Sequence, residues 1–229
     1  MPEKKKKRRV RTIIIIAVAA VAAVIIGGNL IAMQSETSGM NPLDTGKVIP
    51  GIYAVKDGFV NFYLMEAESG KYVAIDTGMS AAGAKKGLSS LGISSEDVTA
   101  VLLTHTHGDH VGGLSVFDNA SVYAGEGATT GSISKFVSDG ETFDVAGLSV
   151  EVFSAPGHTD EAVCYLINGI YLFTGDTLSL DGNKVGLFNS VFNQSDSVQA
   201  EDIQRLSRIS GVQYIFTAHY GFTDSAVFP

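Results

Sequence analysis

The chain of 229 residues contains one cysteine, five histidines and 17% charged residues, and its formal net charge is −8. A single cysteine excludes an internal disulfide framework and a four-cysteine zinc site. A hydrophobic content of 45% excludes a disordered chain. The length suits one domain with a short appendage.

The charge is divided unevenly along the chain. Residues 1–11 contain seven Lys and Arg and one Glu, a formal charge of +6, whereas the remainder contains nine basic and 23 acidic residues, a formal charge of −14. Contacts to nucleic-acid phosphates need clustered Lys and Arg side chains. The acidic part is therefore not expected to bind a nucleic acid.

An uncharged, apolar segment at 12–33 follows the basic tail at 1–11. About 20 apolar helical residues cross a bilayer core of about 30 Å, so the segment predicts a transmembrane helix or signal anchor. The basic flank predicts a cytoplasmic N-terminus and a membrane-anchored, extracytoplasmic catalytic domain. A cleaved signal peptide, which would give a secreted domain, is an alternative. A nuclear-type basic motif at 4–9 is a weaker one, because the adjoining apolar segment explains the basic flank better.

Residues 34–46 are rich in Ser, Thr, Gly, Asn and Pro and predict a linker. The folded domain is then expected at 47–229. Hydrophobic periodicity predicts, in chain order, a hairpin (49–55 and 60–66), a strand (72–75), a helix (80–91), a strand (98–103), a short helix (109–117), five strands (121–124, 142–145, 148–154, 162–167 and 170–173), a helix (198–209) and a last strand (213–217). Strands mixed with helices indicate an α/β class with mixed sheets.

Three histidines and an aspartate lie within the motif Thr-His-Thr-His-Gly-Asp-His, directly after the predicted strand 98–103. The two other histidines and a further aspartate also follow predicted strands, in Pro-Gly-His-Thr, Ala-His-Tyr-Gly and Thr-Gly-Asp-Thr. Loops at strand ends can bring side chains together in a cleft. Nitrogen and oxygen donors without a thiolate suit zinc, iron or manganese. The candidate metal ligands are His105, His107, Asp109, His110, His158, Asp176 and His219.

These motifs, in this order and with the preceding Asp76-Thr77-Gly78, resemble the metallo-β-lactamase superfamily of hydrolases. The resemblance covers 47–229 and implies a four-layer αβ/βα sandwich that binds two zinc ions, with iron or manganese as alternatives. It places His105, His107 and His158 on the first metal, Asp109, His110 and His219 on the second, and Asp176 between them.

The same resemblance implies that Asp76 orients the ligand loops from outside the ligand set. An ordinary strand-ending turn is the alternative for Asp76.

The resemblance also implies the chemistry, in which a hydroxide shared by two cations attacks a carbonyl or phosphoryl centre. Asp109 is the catalytic candidate, because it could accept the proton of the nucleophile. The sequence around His158 and Asp176 is similar to that of glyoxalase II. The cysteine that some β-lactamases use as a zinc ligand is replaced by Asp176, and the Gly-Arg motif of the glutathione-thioester hydrolases is missing after it. The expected reaction is therefore cleavage of an ester, thioester or lactone-type bond.

Two other functions stay open. One is a mononuclear iron oxygenase of the persulfide dioxygenase kind, which resembles this family and uses two histidines and an aspartate. The other is a non-catalytic metal-binding module. An apolar substrate pocket is predicted at Phe59, Phe188 and Phe192, with ordinary core packing as the alternative. Cys164 lies inside a predicted strand and is expected to be a small buried hydrophobe.

Overall fold

The structure is a computed structural model that describes residue 37 and residues 39–229. Residues 40–229 form one compact unit. Its helices are α1 (Ala81–Leu91), α2 (Gly108–Val111) and α3 (Asp196–Leu206). Its strands are β1 (Gly46–Ile49), β2 (Ile52–Asp57), β3 (Val60–Glu66), β4 (Tyr72–Ile75), β5 (Val98–Leu102), β6 (Ser121–Gly125), β7 (Lys135–Val137), β8 (Thr142–Val145), β9 (Leu148–Ser154), β10 (Val163–Ile167), β11 (Tyr171–Phe173), β12 (Ser179–Asp181), β13 (Lys184–Gly186), β14 (Tyr214–Phe216) and β15 (Phe222–Thr223).

The strands form two large sheets and one small hairpin. The first sheet has the order β1-β2-β3-β4-β5-β6-β7, and the second has the order β15-β14-β11-β10-β9-β8. Strands β4, β5, β6 and β7 are parallel neighbours, while β1 to β4 are antiparallel. In the second sheet β11 and β14 are parallel, and β9 and β11 both run antiparallel to β10. Strands β12 and β13 pair only with each other.

Three apolar clusters show how the layers are stacked. The central cluster fills the space between the two sheets, with Tyr63, Ile75 and Leu102 from the first and Tyr165 and Phe173 from the second. A second cluster packs α1 on the outer face of the first sheet, and a third packs α3 on the outer face of the second. The prediction of a mixed α/β sandwich is confirmed.

The two long helices begin at serine caps. The Ser80 hydroxyl accepts a hydrogen bond from the backbone N–H of Gly83, and the Ser195 hydroxyl accepts one from Val198. Such caps satisfy amide groups that the first helical turn leaves unpaired. Helix α1 ends at Gly92, whose φ of 69° lies in the left-handed region that glycine adopts without strain. The predicted helices at 80–91 and 198–209 therefore match α1 and α3 to within a few residues.

Two differences from the predicted elements lie at the start of the domain. The predicted strand at 49–55 is interrupted at Pro50 and Gly51, so that β1 ends before this turn and β2 begins after it. Within the predicted linker, the Asn41 amide donates to the His219 carbonyl, and Leu43 exchanges two hydrogen bonds with the Asn61 side chain. The compact unit therefore includes the end of the segment that was expected to be linker.

Among the residues described, none of the helices is long and apolar enough to span a membrane. The predicted membrane segment at 12–33 and the basic tail at 1–11 lie outside the described residues.

Candidate metal centre

The predicted ligands lie on four loops, each of which follows the carboxyl end of a strand. The loop after β5 carries His105, His107, Asp109 and His110, and the loops after β9, β11 and β14 carry His158, Asp176 and His219. Carboxyl ends of parallel strands meet at the same edge of a sheet. The two sheets therefore bring all seven side chains to one edge of the sandwich.

The first group consists of three imidazoles and one carboxylate oxygen. His105 Nε2, His107 Nδ1 and His158 Nε2 lie 3.1–3.2 Å from one another. Asp176 Oδ2 lies 3.8 Å from His105 Nε2 and 3.5 Å from His158 Nε2. Four ligand atoms placed 2.0–2.1 Å from a common tetrahedral centre are about 3.4 Å apart, so the group has the dimensions of a zinc site.

The second group consists of Asp109, His110 and His219, together with the other oxygen of Asp176. His219 Nε2 lies 3.5 Å from Asp109 Oδ2, and His110 Nε2 lies 3.9 Å from the same oxygen. Asp176 Oδ1 is 3.2 Å from His219 Nε2 and 3.4 Å from His110 Nε2. The two oxygens of Asp176 therefore face two different groups of nitrogen donors.

Two buried atoms at the centre of the second group have no hydrogen-bond partner among the described residues. They are His110 Nε2 and Asp176 Oδ1, and both side chains are at least 96% buried. A buried polar atom without a partner costs about 1–3 kcal/mol. A divalent cation between them would satisfy both, and these residues fit the metals that the resemblance implies.

The outer nitrogens of four histidine rings are held by hydrogen bonds. Each outer Nδ1–H can donate to an oxygen at 2.7–3.1 Å, which leaves the inner Nε2 as the lone-pair donor. The pairs are His105 with the Thr104 hydroxyl, His110 with Asp76 Oδ2, His158 with Asn193 Oδ1 and His219 with the Phe59 carbonyl. These hydrogen bonds orient the four rings so that their inner nitrogens face one another across the site.

Asp76 lies behind His110, outside both groups of ligand atoms. Its Oδ1 accepts a hydrogen bond from the Thr104 amide, and its Oδ2 accepts from the Thr104 hydroxyl and faces His110 Nδ1 at 2.9 Å. Its φ of 60° is left-handed, a conformation in which Asp and Asn are several-fold enriched among residues other than glycine. The structure therefore places Asp76 between the β4 turn and the ligand loop.

Burial and the neighbouring charges set the protonation of the site. Burial shifts the pKa of His105 well below its ordinary value, so this ring is neutral. Burial also lowers the pKa of His110, but Asp176 and Asp76 outweigh it and shift the pKa well above the ordinary value. For Asp176, burial raises the pKa, but His219 and His110 outweigh it and hold the pKa well below its usual range. A ligating imidazole must be neutral, so a bound cation would replace the proton of His110.

Aromatic rings line one side of the ligands. The Phe188 ring lies 5.2 Å from the His158 ring and 5.5 Å from the His219 ring, and the Phe59 ring stacks on His219 at 5.7 Å. Phe192 and Tyr220 lie 6.1 and 6.0 Å from Phe188. The three predicted pocket residues therefore lie together beside the candidate metal centre, and Tyr220 joins them.

Comparisons with known proteins agree with this geometry. The sequence model of the family described as the metallo-beta-lactamase superfamily matches residues 55–130. A metallo-beta-lactamase family protein of Thermus thermophilus aligns with a TM-score of 0.61 and 23% identity over 78% of this chain and 76% of that chain. A subclass B3 metallo-beta-lactamase of Bradyrhizobium japonicum aligns with a TM-score of 0.63 and 17% identity over 79% of each chain. The chain has the metallo-β-lactamase fold. A superfamily protein of the archaeon Sulfolobus tokodaii aligns with a TM-score of 0.58 and 20% identity, covering 76% and 82%.

The segment of this chain that the family model matches contains Asp76 and the loop from His105 to His110. The family match and the shared fold agree with the resemblance that the motifs carry. At these identities the solved structures indicate the fold and leave the reaction open.

Two residues that support the candidate ligands were not predicted. Asn193 orients His158, and Gln199, which is fully buried on α3, donates to the Asp176 carbonyl and accepts from the Phe188 amide. Gln199 also exchanges hydrogen bonds with both ends of the Asn193 amide. Both residues are ordinary polar residues in the sequence, and only the packing of α3 against the His158 loop reveals their role.

Proposed function

We propose that the protein is a metal-dependent hydrolase that cleaves an ester, thioester or lactone-type bond in a small molecule. The observation that carries this proposal is the position of the Asp176 carboxylate, whose two oxygens face two different groups of ligand atoms. Each oxygen lies within 3.8 Å of two histidine nitrogens, and each group adds a further ligand. This arrangement suits two divalent cations, with zinc the first choice for nitrogen and oxygen donors and iron or manganese as alternatives.

When bound, two such cations supply a water molecule of lowered pKa and polarise the carbonyl of the substrate. The protein residues then have separate tasks. His105, His107 and His158 would hold one cation, and His110 and His219 would hold the other together with Asp109. The Asp109 side chain is 21% exposed and that of Asp176 only 4%. Asp109 is therefore the carboxylate within reach of solvent and substrate, and we assign it the role of proton acceptor.

Phe188 and Phe59 have a positioning task in this proposal. The Phe59 ring stacks on His219, the Phe188 ring contacts the His158 and His219 rings, and together they cover one side of the site. Apolar cover excludes bulk water and strengthens the electrostatic interactions inside a site. The expected substrate is a small molecule, since the part of the chain beyond residue 11 has a formal charge of −14.

We also propose that residues 12–33 anchor the protein in a membrane, with the folded domain outside the cytoplasm. The support is the uncharged segment next to a basic tail. Protease protection of the tail in sealed inverted and right-side-out vesicles tests the orientation. A shortened N-terminus on the mature protein would instead support the cleaved-signal alternative.

The decisive experiment for the reaction combines metal analysis with a substrate panel. The full-length protein is purified, its metal content is measured, and thioesters, lactones, esters, a β-lactam and a phosphodiester are tested. Two metals per chain and turnover of an ester-type substrate are expected, and Asp109→Asn should lower kcat by about 10²- to 10⁴-fold. The matched control is Asp97→Asn, since Asp97 pairs with Lys71 away from the site.

Other results of the same experiment would overturn the proposal. One iron per chain with oxygen consumption would indicate the oxygenase alternative. Metal binding that His107→Ala abolishes, without turnover of any substrate by the wild type, would indicate a non-catalytic metal-binding module.

A further inference from the structure

We infer that the acyl part of the substrate is uncharged and apolar, and that the segment 187–192, called the rim loop below, forms the outer wall of its pocket. This inference rests on the proposed hydrolase function. It is carried by the apolar side chains of the rim loop, buried and exposed, and by the absence of Lys and Arg from the rim loop.

The inner face of the rim loop contacts the candidate metal centre. Phe188 is 2% exposed, and its ring packs against the rings of His158 and His219. Phe192 and Tyr220 extend this aromatic surface away from the ligands, at 6.1 and 6.0 Å from Phe188. A substrate carbonyl placed at the ligands therefore has an apolar surface beside it.

The rim loop also exposes two large apolar side chains next to the buried Phe188 in the sequence. Leu187 is 42% exposed and Val191 is 67% exposed. They are two of only four large hydrophobic side chains that are exposed among the described residues, and the other two are Phe136 and Val227. Leu187 and Val191 flank Phe188 along the chain, so the apolar surface continues from the buried ring to the protein surface.

Hydrogen bonds from residues 193–195, which follow the rim loop, connect it to the loop that carries His158. The Asn193 side chain donates to the Phe188 carbonyl and receives the ring N–H of His158. The amides of Gln194 and Ser195 donate to the carbonyls of His158 and Gly157. The exposure of Leu187 and Val191 is thus a property of an anchored loop, and an anchored apolar surface is suited to binding.

Five of the nine basic side chains in residues 40–229 have partners outside the rim loop. Four of these basic side chains form ion pairs with acidic residues outside the site, and a fifth, Lys47, lies over the Tyr53 ring. The ion pairs are Lys56–Asp44, Lys71–Asp97, Lys135–Glu141 and Arg205–Asp139. Among the described residues no Lys or Arg pairs with a ligand carboxylate. The rim loop itself contains no Lys or Arg. An acyl group bearing a carboxylate would therefore find no basic partner within the rim loop, whereas an alkyl chain would find Phe192 and Val191.

The test is a chain-length series on the metal-loaded, full-length protein. Uncharged acetyl, butyryl and octanoyl esters of one alcohol are compared with an ester of butyryl length that ends in a carboxylate. Each methylene buried against the rim loop should raise kcat/KM about fourfold, so the octanoyl ester should exceed the butyryl ester by about 10²-fold. The carboxylate-ended ester should be cleaved least.

Variants then locate the effect on the rim loop. Val191→Ser and Leu187→Ser should lower kcat/KM for the octanoyl ester by about tenfold and leave the acetyl ester within about twofold. The matched control is Phe136→Ser, since Phe136 is 51% exposed on β7, away from the rim loop. Lys184→Ala, which removes the basic residue nearest to the rim loop in the sequence, should change neither value.

A binding measurement separates this inference from the proposed reaction. The neutral fluorescent probe N-phenyl-1-naphthylamine should bind to the protein with and without metal, and Val191→Ser should weaken its binding several-fold. Equal rates along the chain-length series, a preference for the carboxylate-ended ester, or unchanged probe binding in Val191→Ser would overturn the inference. Absence of all ester, thioester and lactone cleavage, with probe binding as expected, would instead overturn the proposed function and leave an apolar binding surface at the rim loop for a ligand of another class.

Discussion

At the scale of single residues, the candidate metal centre depends on side chains that lie outside the two groups of ligand atoms. Asp76 shows this most clearly, since its carboxylate receives three hydrogen bonds, two from Thr104 and one from the His110 ring. Removing the carboxylate would free the His110 ring to change tautomer, and the wrong tautomer presents an N–H to the cation in place of a lone pair.

Asp76→Asn is predicted to weaken metal binding by about 10- to 100-fold, the usual cost of losing a partner behind a ligating histidine. Asparagine tolerates the left-handed φ of this position, so the variant changes the hydrogen bonds without adding backbone strain. The measurement is chelator competition for zinc, with Asp97→Asn as the control. An unchanged zinc affinity in Asp76→Asn would show that Asp76 is an ordinary turn residue.

Cys164 illustrates a residue whose chemistry is suppressed by its surroundings. Burial raises the pKa of its thiol to about 12, even though a hydrogen bond to Thr177 lowers it. The native thiol is therefore protonated at pH 8, and the thiolate is the reactive form. We predict that iodoacetamide modifies Cys164 at pH 8 only at the rate at which the protein unfolds. Rapid modification of the folded protein, monitored by mass spectrometry, would contradict this.

The same shift predicts a loss of stability at high pH. In the unfolded chain the thiol ionises near its ordinary value of 9.0, and in the folded chain only near 12. Between these values the unfolded state binds fewer protons, so the contribution of Cys164 to stability is complete below pH 9 and is lost as the pH rises towards 12. Denaturant titrations at pH 8 and pH 10.5 should show a smaller pH-dependent loss in Cys164→Ala than in the wild type.

At the scale of elements, helix α3 supports three parts of the site from behind. It carries Gln199, whose amide binds Asp176, Phe188 and Asn193, and it packs so closely on Gly157 that a Cβ there would collide with the Gln199 backbone. The side chain of Asp202, one turn later, accepts a hydrogen bond from the Gly157 amide. The loop of His158 is thus fixed by the helix that follows the rim loop.

Gln199→Leu is predicted to destabilise the protein by about 1–3 kcal/mol, since it leaves the buried Phe188 amide and the Asn193 side chain without partners. Because Asn193 orients His158 and Gln199 holds the Asp176 backbone, zinc affinity should fall as well, even at temperatures where the variant is fully folded. Urea unfolding and chelator competition measure the two effects. Gln204→Leu, on the exposed face of the same helix, is the control that should change neither.

The elements also show what could be predicted from the sequence. The grouping of the candidate ligands could be predicted, because each of them follows a strand and is marked by Gly, Pro or Thr, as in β5 and the loop after it. Short strands such as β7 and β15 could not be predicted from the sequence, since two or three residues show no periodicity. The role of Gln199 could not be predicted either, because a polar residue on an amphipathic helix usually faces solvent. Its burial follows from the packing of α3 on Gly157.

At the scale of the whole molecule, the candidate metal centre connects the two sheets. One sheet supplies the loop after β5, and the other supplies His158, Asp176 and His219. Cations held by both sets of ligands would bind the folded domain and not the unfolded chain. Metal binding free energy then becomes folding free energy.

We therefore predict that zinc raises the thermal stability of the protein. At a free zinc concentration 100-fold above Kd, the gain is about 2.7 kcal/mol, and for a domain of this size that corresponds to about 5–10 °C in Tm. Asp176→Asn should lose most of this shift, because its carboxylate faces both groups of ligands, whereas Asp97→Asn should keep it. Differential scanning fluorimetry with zinc and with a chelator makes the comparison. If zinc shifts the Tm of Asp176→Asn as much as that of the wild type, Asp176 does not hold the cation, and the proposed role of the carboxylate between the two groups fails with it.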